Sequence, residues 1–275
     1  MIIEIVGKPG IGKTALNTLF MLRELLHAHL IESRTCRQIT ELNKFREEGD
    51  KLPFPKKTPL YANYKASIPT GYKKSFTPYW VNPYFLGLPT PNINNSEEDR
   101  IQYALPGSCL HITEGRKYWD GRESSTMPDN VSQFFETHRH NYLTIIIDAQ
   151  RGKALDLNVR ENVNKFIEVQ AMRNDEDAYG RVIASTWYCR EFYSLQDYEA
   201  YLVGKSAYYR EVTYHYEGNI FEFYESRNRQ KDFVPPKGKQ FSTLEFVEEE
   251  EMKKLPKKIV KIYDPSRPDW FRKCA

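Results

Sequence analysis

The amino-acid sequence predicts an α/β fold built on a mostly parallel sheet, with a smaller β-rich C-terminal extension. Three observations carry that expectation. An apolar, strand-like segment opens the chain and runs directly into a glycine-rich turn. A helix with a periodic apolar stripe follows the turn. Further apolar runs near residues 110, 145 and 169 alternate with helix-like stretches, the pattern of parallel strands joined by crossovers.

Taken in order, residues 2–6 read as a short buried strand. The turn Gly7-Lys8-Pro9-Gly10-Ile11-Gly12-Lys13-Thr14 comes next. Ala15, Leu19, Leu22, Leu26 and Leu30 then recur at spacings of three and four, one stripe of a single helix packed on a sheet. Residues 32–57 are polar and charged, an exposed helix and loop. A second strand is expected at 60–63, a third at 108–113, a helix at 131–140, a fourth strand at 143–148 and a fifth at 166–172. The fourth is an unbroken apolar run, Leu-Thr-Ile-Ile-Ile, suited to burial on both faces.

Composition shifts divide the chain into a core over 1–180, a tyrosine-rich β extension over 181–225 and a charged tail over 226–275. Within the core, eight prolines between Pro53 and Pro91 rule out long helices, so about 65–107 is an insertion. Tyr72, Phe76, Tyr79, Trp80, Tyr84 and Phe85 either pack it or offer a partner surface. Nine of the nineteen tyrosines lie between Tyr188 and Tyr224, where hairpins are expected. They suit half-buried sheet positions, and also a stacking platform for single-stranded DNA with Arg181, Arg190, Lys205, Arg210, Arg227, Arg229 and Lys231 beside it. The tail pairs an acidic run at 248–251 with Lys253, Lys254, Lys257 and Lys258, which suits a solvated helix or a linker.

Composition also sets limits. A chain of 275 residues, 40% hydrophobic and 28% charged, can bury a sizeable core and is not a disordered type. Cys36, Cys109, Cys189 and Cys274 are scattered, which argues against a disulfide framework or structural zinc and for a reducing compartment. A net charge of +3 is too mild to imply nucleic-acid binding by itself. No run approaches the ~18 apolar residues of a membrane-spanning helix, and no signal peptide is expected.

The chemistry resides in Gly7-x-x-x-x-Gly12-Lys13-Thr14, which fits G-x-x-x-x-G-K-[ST] in full and stands between a strand and a helix. Gly7, Pro9, Gly10, Ile11, Gly12, Lys13, Thr14 and Ala15 are the expected nucleotide-binding residues. Backbone N–H groups of such a turn point at an anion, and the helix N-terminus adds partial positive charge. Lys13 supplies a full charge for the β- and γ-phosphates, and the Thr14 hydroxyl can ligate Mg²⁺. ATP and Mg²⁺ are therefore the expected cofactors, on a RecA/AAA-like P-loop NTPase with strand order 5-1-4-3-2.

Such a site also needs an acidic residue at the end of a neighbouring strand. Asp148 closes the apolar run 144–147, and Glu114 closes the strand at 108–113. In the 5-1-4-3-2 order Glu114 ends strand three and Gln150 follows strand four. This favours Glu114 as the carboxylate that orients water, Gln150 as the γ-phosphate sensor, and Thr14 with Asp148 at the metal. The reverse assignment of the two carboxylates stays open.

These residues resemble the zonula occludens toxin (Zot) family, the P-loop assembly ATPases of filamentous phages. The resemblance rests on the phosphate loop, on Leu60-Tyr61-Ala62-Asn63, on Pro106-Gly107-Ser108 with Glu114, and on Phe135-Glu136-Thr137-His138-Arg139-His140 before Thr144-Ile-Ile-Ile-Asp-Ala-Gln150. Phe223-Tyr224-Glu225-Ser226 is a weaker echo. It covers roughly 1–226. It implies an ATPase that powers virion assembly and extrusion of single-stranded phage DNA through a secretion channel. Its place would be the host cytoplasm, at the cytoplasmic face of the inner membrane. Expected partners are phage DNA or its nucleoprotein and the other assembly and secretion-channel proteins. Motion coupled to hydrolysis implies a homo-oligomeric ring, expected to be a hexamer.

The chain departs from the family pattern twice. It carries no membrane helix, so either the chain ends before one or it docks on partners. The lysine-rich stretch from Lys253 and the end Trp270-Phe271-Arg272-Lys273 suit a juxtamembrane position or an ordinary basic tail. Thr113 stands where an aspartate is usual, which weakens Mg²⁺ binding and motivates a second reading, a scaffold that binds ATP without hydrolysing it. A P-loop kinase is a third; Arg100 and a few lysines make a poor lid. Arg139 can sense γ-phosphate in its own subunit or across a ring, or pair with Glu136 or Asp148. Arg116 and Arg122 are weaker candidates for that role. His138 and His140, two apart on a helix, do not share a metal.

Overall fold

The computed structural model describes residues 1–52, 54–55, 58–71, 74–81, 83, 86, 105–122, 129–224 and 246–247. The chain forms β1 (Ile2–Val6), α1 (Lys13–Leu26) and α2 (Ala28–Asn43), then five short strands. These are β2 (Phe54–Pro55), β3 (Leu60–Ala62), β4 (Ile68–Gly71), β5 (Lys74–Phe76) and β6 (Tyr79–Trp80). There follow β7 (Cys109–Ile112), α3 (Asp129–Thr137), β8 (Thr144–Ala149), α4 (Leu157–Glu161), β9 (Lys165–Glu176), β10 (Val182–Phe192), α5 (Leu195–Leu202), β11 (Arg210–Glu217) and β12 (Phe246–Val247).

One eight-stranded sheet organises the molecule, in the order β11-β10-β9-β1-β8-β7-β3-β6. The five strands expected from the sequence are β1, β3, β7, β8 and β9. They lie side by side as 5-1-4-3-2, and each neighbouring pair among them is parallel. Three strands lengthen this order: β6 joins parallel to β3, and β10 and β11 add antiparallel beyond β9. The tyrosine-rich stretch is thus continuous with the core sheet. Its hairpin turns at 177–181, where the Asp177 carboxylate accepts from the backbone N–H groups of Tyr179 and Arg181.

The central strands are buried on both faces, as their unbroken apolar runs require. Leu16, Leu19 and Met21 of α1 pack one face with Ile3, Ile5 and Ile146. The other face carries Ile2, Val6, Ile145 and Ile147 under Phe135 of α3, Val159 of α4 and Tyr198 of α5. Among the described residues, no helix is long and apolar enough to cross a membrane.

Several expectations need correction. The apolar stripe does not run along one helix: the chain breaks at His27, between α1 and α2, and Leu30 is exposed. Ala15, Leu19 and Leu22 of the stripe do pack on the sheet, together with Leu16 and Met21. The stretch 32–57 is not wholly exposed, since Ile39 of α2 packs with Leu52 and Phe54 in a small separate core. The expected strand at 166–172 extends over Lys165–Glu176, and α5 interrupts the expected hairpins. Within the insertion, Tyr79 is buried against Tyr61 and Phe76 packs beside Ile31. Tyr72, Tyr84, Phe85, Arg100, Cys274 and the tail 225–275, apart from 246–247, lie outside the described residues.

Candidate functional site

The loop between β1 and α1 begins with a fully buried strand and ends with a helix whose N-terminus has no side-chain cap. Two later helices are capped by side chains: Ser194 accepts from the Asp197 N–H at α5, and Asp156 from the Asn158 N–H at α4. At α1 the capping position is Gly12, and no acidic residue occupies the first turn. Its uncapped N–H groups and the helix dipole are left for an anion.

Gly12 can be nothing larger. Its φ is 86°, in the left-handed region, and a Cβ there would lie 2.1 Å from the Met172 sulfur. The Lys13 ammonium, largely buried, donates to the Lys8 carbonyl at 2.9 Å across the loop. Burial lowers its pKa, and the nearby carboxylates of Asp148 and Glu114 oppose that shift. A buried cation held by a single carbonyl at a helix N-terminus fits an anionic ligand that would complete its shell.

Asp148 is the hub of the site. It lies near the end of β8 and is 2% exposed. One carboxylate oxygen accepts from the Thr14 hydroxyl at 3.2 Å, the other from the Glu114 N–H at 2.8 Å. Burial raises its pKa to about 6, against the Glu114 N–H, the Lys13 charge and the Thr14 hydroxyl. An oxygen-only set of Thr14 and Asp148 beside a phosphate loop fits Mg²⁺, a hard cation.

Glu114 follows β7 with φ 51°, left-handed for a residue that has a Cβ. Its backbone is fixed from both sides. The Asp148 carboxylate takes its N–H, and Gly115 behind it packs so closely that a Cβ would lie 2.4 Å from Ile147. The Glu114 side chain stays exposed. Backbone strain at a fixed position with a free carboxylate is the pattern of a functional residue.

Thr113, where an aspartate was expected, is occupied differently. Asn63, just past β3, accepts from the Thr113 N–H at 2.8 Å and donates to its carbonyl at 2.9 Å. Asn17 of α1 donates to the Ile112 carbonyl and meets His111 Nδ1 at 2.8 Å. Both amides lock the end of β7 against the phosphate loop. Thr18 joins through its hydroxyl, 3.2 Å from the Tyr64 hydroxyl.

Gln150 is exposed one residue past β8, and with Gly7 and Lys8 it lines a cavity of about 470 Å³. Arg151 and Lys153 line it too, and Tyr198 forms part of its wall. The cavity opens beside the phosphate loop on the sheet face opposite α1.

The structure thus brings together Gly7, Pro9, Gly10, Ile11, Gly12, Lys13, Thr14 and Ala15 with Glu114, Asp148 and Gln150. It does not bring Arg139. That residue stands before the N-terminal end of β8, close enough to Met1 for its charge to lower the pKa of the terminal amine. This is the opposite end of the strands from the phosphate loop. Reach within its own subunit is thereby excluded, and Arg139 pairs with neither Glu136 nor Asp148 among the described residues. Arg116 and Arg122 both bind Asp120. His138 is buried and bonded to the Phe135 carbonyl.

Sequence reasoning missed Trp187 of β10, whose indole N–H donates to the Gly12 carbonyl at 3.0 Å. A separation of 175 positions left no local signal. It missed the roles of Asn63 and Asn17 for the same reason.

No family model and no curated protein matches the chain. Solved structures similar to it include the N-terminal domain of zonular occludens toxin from Neisseria meningitidis, at 17% identity and TM-score 0.40. That match covers 82% of this chain and 98% of the other. Also similar is the genome packaging NTPase B204 from Sulfolobus turreted icosahedral virus 2 in complex with ATP-gammaS. There the identity is 11% and the TM-score 0.29, over 68% of this chain and 90% of the other. B204, the DNA-packaging ATPase from Sulfolobus Turreted Icosahedral Virus, matches at 12% identity and TM-score 0.33, over 68% and 91%.

Proposed function

We propose that this protein is an ATP hydrolase that drives assembly and extrusion of a filamentous phage. One observation carries the hydrolase reading: Asp148 joins Thr14 and the backbone of Glu114 beneath an uncapped, glycine-led helix N-terminus. The phosphate loop, the metal-side oxygens and a free carboxylate thereby converge on one point.

In this reading the amides of 10–15 and the Lys13 ammonium hold the triphosphate. The Thr14 hydroxyl and the Asp148 carboxylate hold Mg²⁺, which, when bound, neutralises charge on the phosphate oxygens. Glu114 orients the attacking water and accepts its proton, while Gln150 contacts the γ-phosphate from the cavity side. Arg139 stands at the far end of β8 and does not reach the γ-phosphate of its own subunit. A homo-oligomeric ring, proposed as a hexamer, would bring Arg139 to a neighbour's site.

The resemblance of the sequence motifs to Zot proteins supports the biological setting. The motor would act at the cytoplasmic face of the host inner membrane on single-stranded phage DNA or its nucleoprotein, with other assembly and secretion-channel proteins. Purified protein should release phosphate from Mg·ATP, faster with single-stranded DNA, and Lys13→Ala should abolish both binding and turnover. Nucleotide binding without Lys13-dependent turnover, even with DNA and partners, would support the second reading, a non-hydrolysing scaffold. That reading rests on Thr113, whose backbone Asn63 occupies.

A further inference from the structure

The Gly12 carbonyl accepts two hydrogen bonds, from Leu16 N–H at 3.0 Å and from Trp187 Nε1 at 3.0 Å. The first is the ordinary opening bond of α1. The second comes from another part of the fold. Trp187 sits mid-way along β10, paired with Met172 of β9 on one side and Tyr214 of β11 on the other. It is fully buried, in the core that also holds Leu16 and Leu19 of α1. Two donors saturate the lone pairs of that carbonyl.

The consequence follows from peptide planarity. The Gly12 carbonyl and the Lys13 N–H belong to one rigid plane and point in opposite directions. Fixing the carbonyl down into the core fixes the Lys13 N–H up into the loop. Met172 closes the same place from beside: its sulfur occupies the space a Cβ at Gly12 would need. The Leu16 N–H holds this peptide from the helix side, and the indole adds a second restraint from the sheet, at a residue whose left-handed backbone only glycine adopts freely.

We propose that Trp187 is a positioning residue for nucleotide binding, which aims the Lys13 N–H at the phosphates and ties the phosphate loop to the antiparallel ribbon β9-β10-β11. The inference rests on the nucleotide-binding reading given above. Movement of the ribbon would reach the triphosphate through one indole, and nucleotide binding would report back on the ribbon.

The test is Trp187→Phe, which keeps an aromatic ring in the core and removes the N–H. Cys189→Ala is the control: it deletes a buried side chain on the same face of the same strand without touching Gly12. Calorimetry with Mg·ATP should give a Kd roughly three- to tenfold weaker for Trp187→Phe, the loss of one hydrogen bond, and an unchanged Kd for Cys189→Ala. In ¹⁵N-labelled wild type, the indole resonance that Trp187→Phe lacks should shift when Mg·ATP is added. Equal affinity for Trp187→Phe and wild type, or equal weakening by Cys189→Ala, overturns the inference and leaves the nucleotide site standing. A folded wild type that binds no nucleotide overturns both.

Discussion

Asp148 accepts a hydrogen bond from the Thr14 hydroxyl at 3.2 Å, although 134 residues separate them. The contact exists because β8 lies directly beside β1, in register from Ile2 with Ile145 to Val6 with Ala149. Parallel pairing brings the ends of both strands to the same edge, and there the loop after β1 meets the carboxylate near the end of β8. The other Asp148 oxygen reaches Glu114 after β7, the next strand over. Three strand ends therefore share one carboxylate.

Asp148→Asn should separate chemistry from stability. Burial raises the Asp148 pKa, so the ionised form is held at a cost that the amide does not pay. The variant should melt no lower than wild type at pH 7. Its Mg²⁺-dependent turnover should fall at least roughly 10- to 100-fold, the loss seen when even an outer partner of a metal ligand is removed. Thermal melts and phosphate release at graded Mg²⁺ read both; a variant that melts far lower contradicts the account.

Glu114 tests the left-handed backbone. Glu114→Gln should bind Mg·ATP within a few-fold of wild type and lose roughly 10²–10⁴ in turnover, the range for a positioned general base. Glu114→Gly should lose turnover as well but gain stability of about 1 kcal/mol, because glycine adopts φ 51° without the steric cost. A glycine variant less stable than wild type would show that the backbone is not strained there.

Gly12→Ala places a Cβ 2.1 Å from the Met172 sulfur on a left-handed backbone. Nucleotide binding should be lost in calorimetry. Adding Met172→Ala should recover part of the lost melting temperature, since the clash is relieved, but little of the affinity, since φ remains wrong. Full recovery of binding in the double variant would make the clash the whole effect.

Much of this arrangement was legible because it is local or periodic. The glycine pattern, Lys13 and Thr14 are contiguous, and each apolar run declares a strand. The order of the five core strands followed once a fold type was recognised. What stayed hidden depends on distance. Trp187 reads as one more aromatic in a tyrosine-rich stretch, and Asn63 as a polar strand end. Leu30 misled because an apolar stripe continues in register across His27, where the backbone leaves the helix. Arg139 misled although chain order places it before β8, and in a parallel sheet that end lies away from the loop that follows β1.

The last prediction concerns Glu4, a carboxylate in the middle of β1 that the proposed chemistry does not use. It is fully buried, and neither of its oxygens has a hydrogen-bond partner among the described residues. Burial raises its pKa to about 8, with only the charge of Arg160 on α4 opposing; Tyr198 of α5 also faces it. Because the folded pKa exceeds the unfolded value of 4.5, the folded state holds the extra proton between the two. The Glu4 contribution to stability is therefore most favourable below about pH 4.5, falls as pH rises, and levels off above about pH 8. At roughly 1.4 kcal/mol per unit the full span is on the order of 5 kcal/mol, an upper bound if the core relaxes around the charge. Glu4→Gln cannot ionise. Urea unfolding from pH 5 to 9 should give a stability difference, wild type minus variant, that declines steadily to about pH 8 and then stays flat. A difference independent of pH would mean that Glu4 is charged or hydrated in the folded protein. Because Glu4 lies three residues before Gly7, on the strand that carries the phosphate loop, nucleotide affinity in wild type should weaken over the same alkaline range and remain steady in Glu4→Gln.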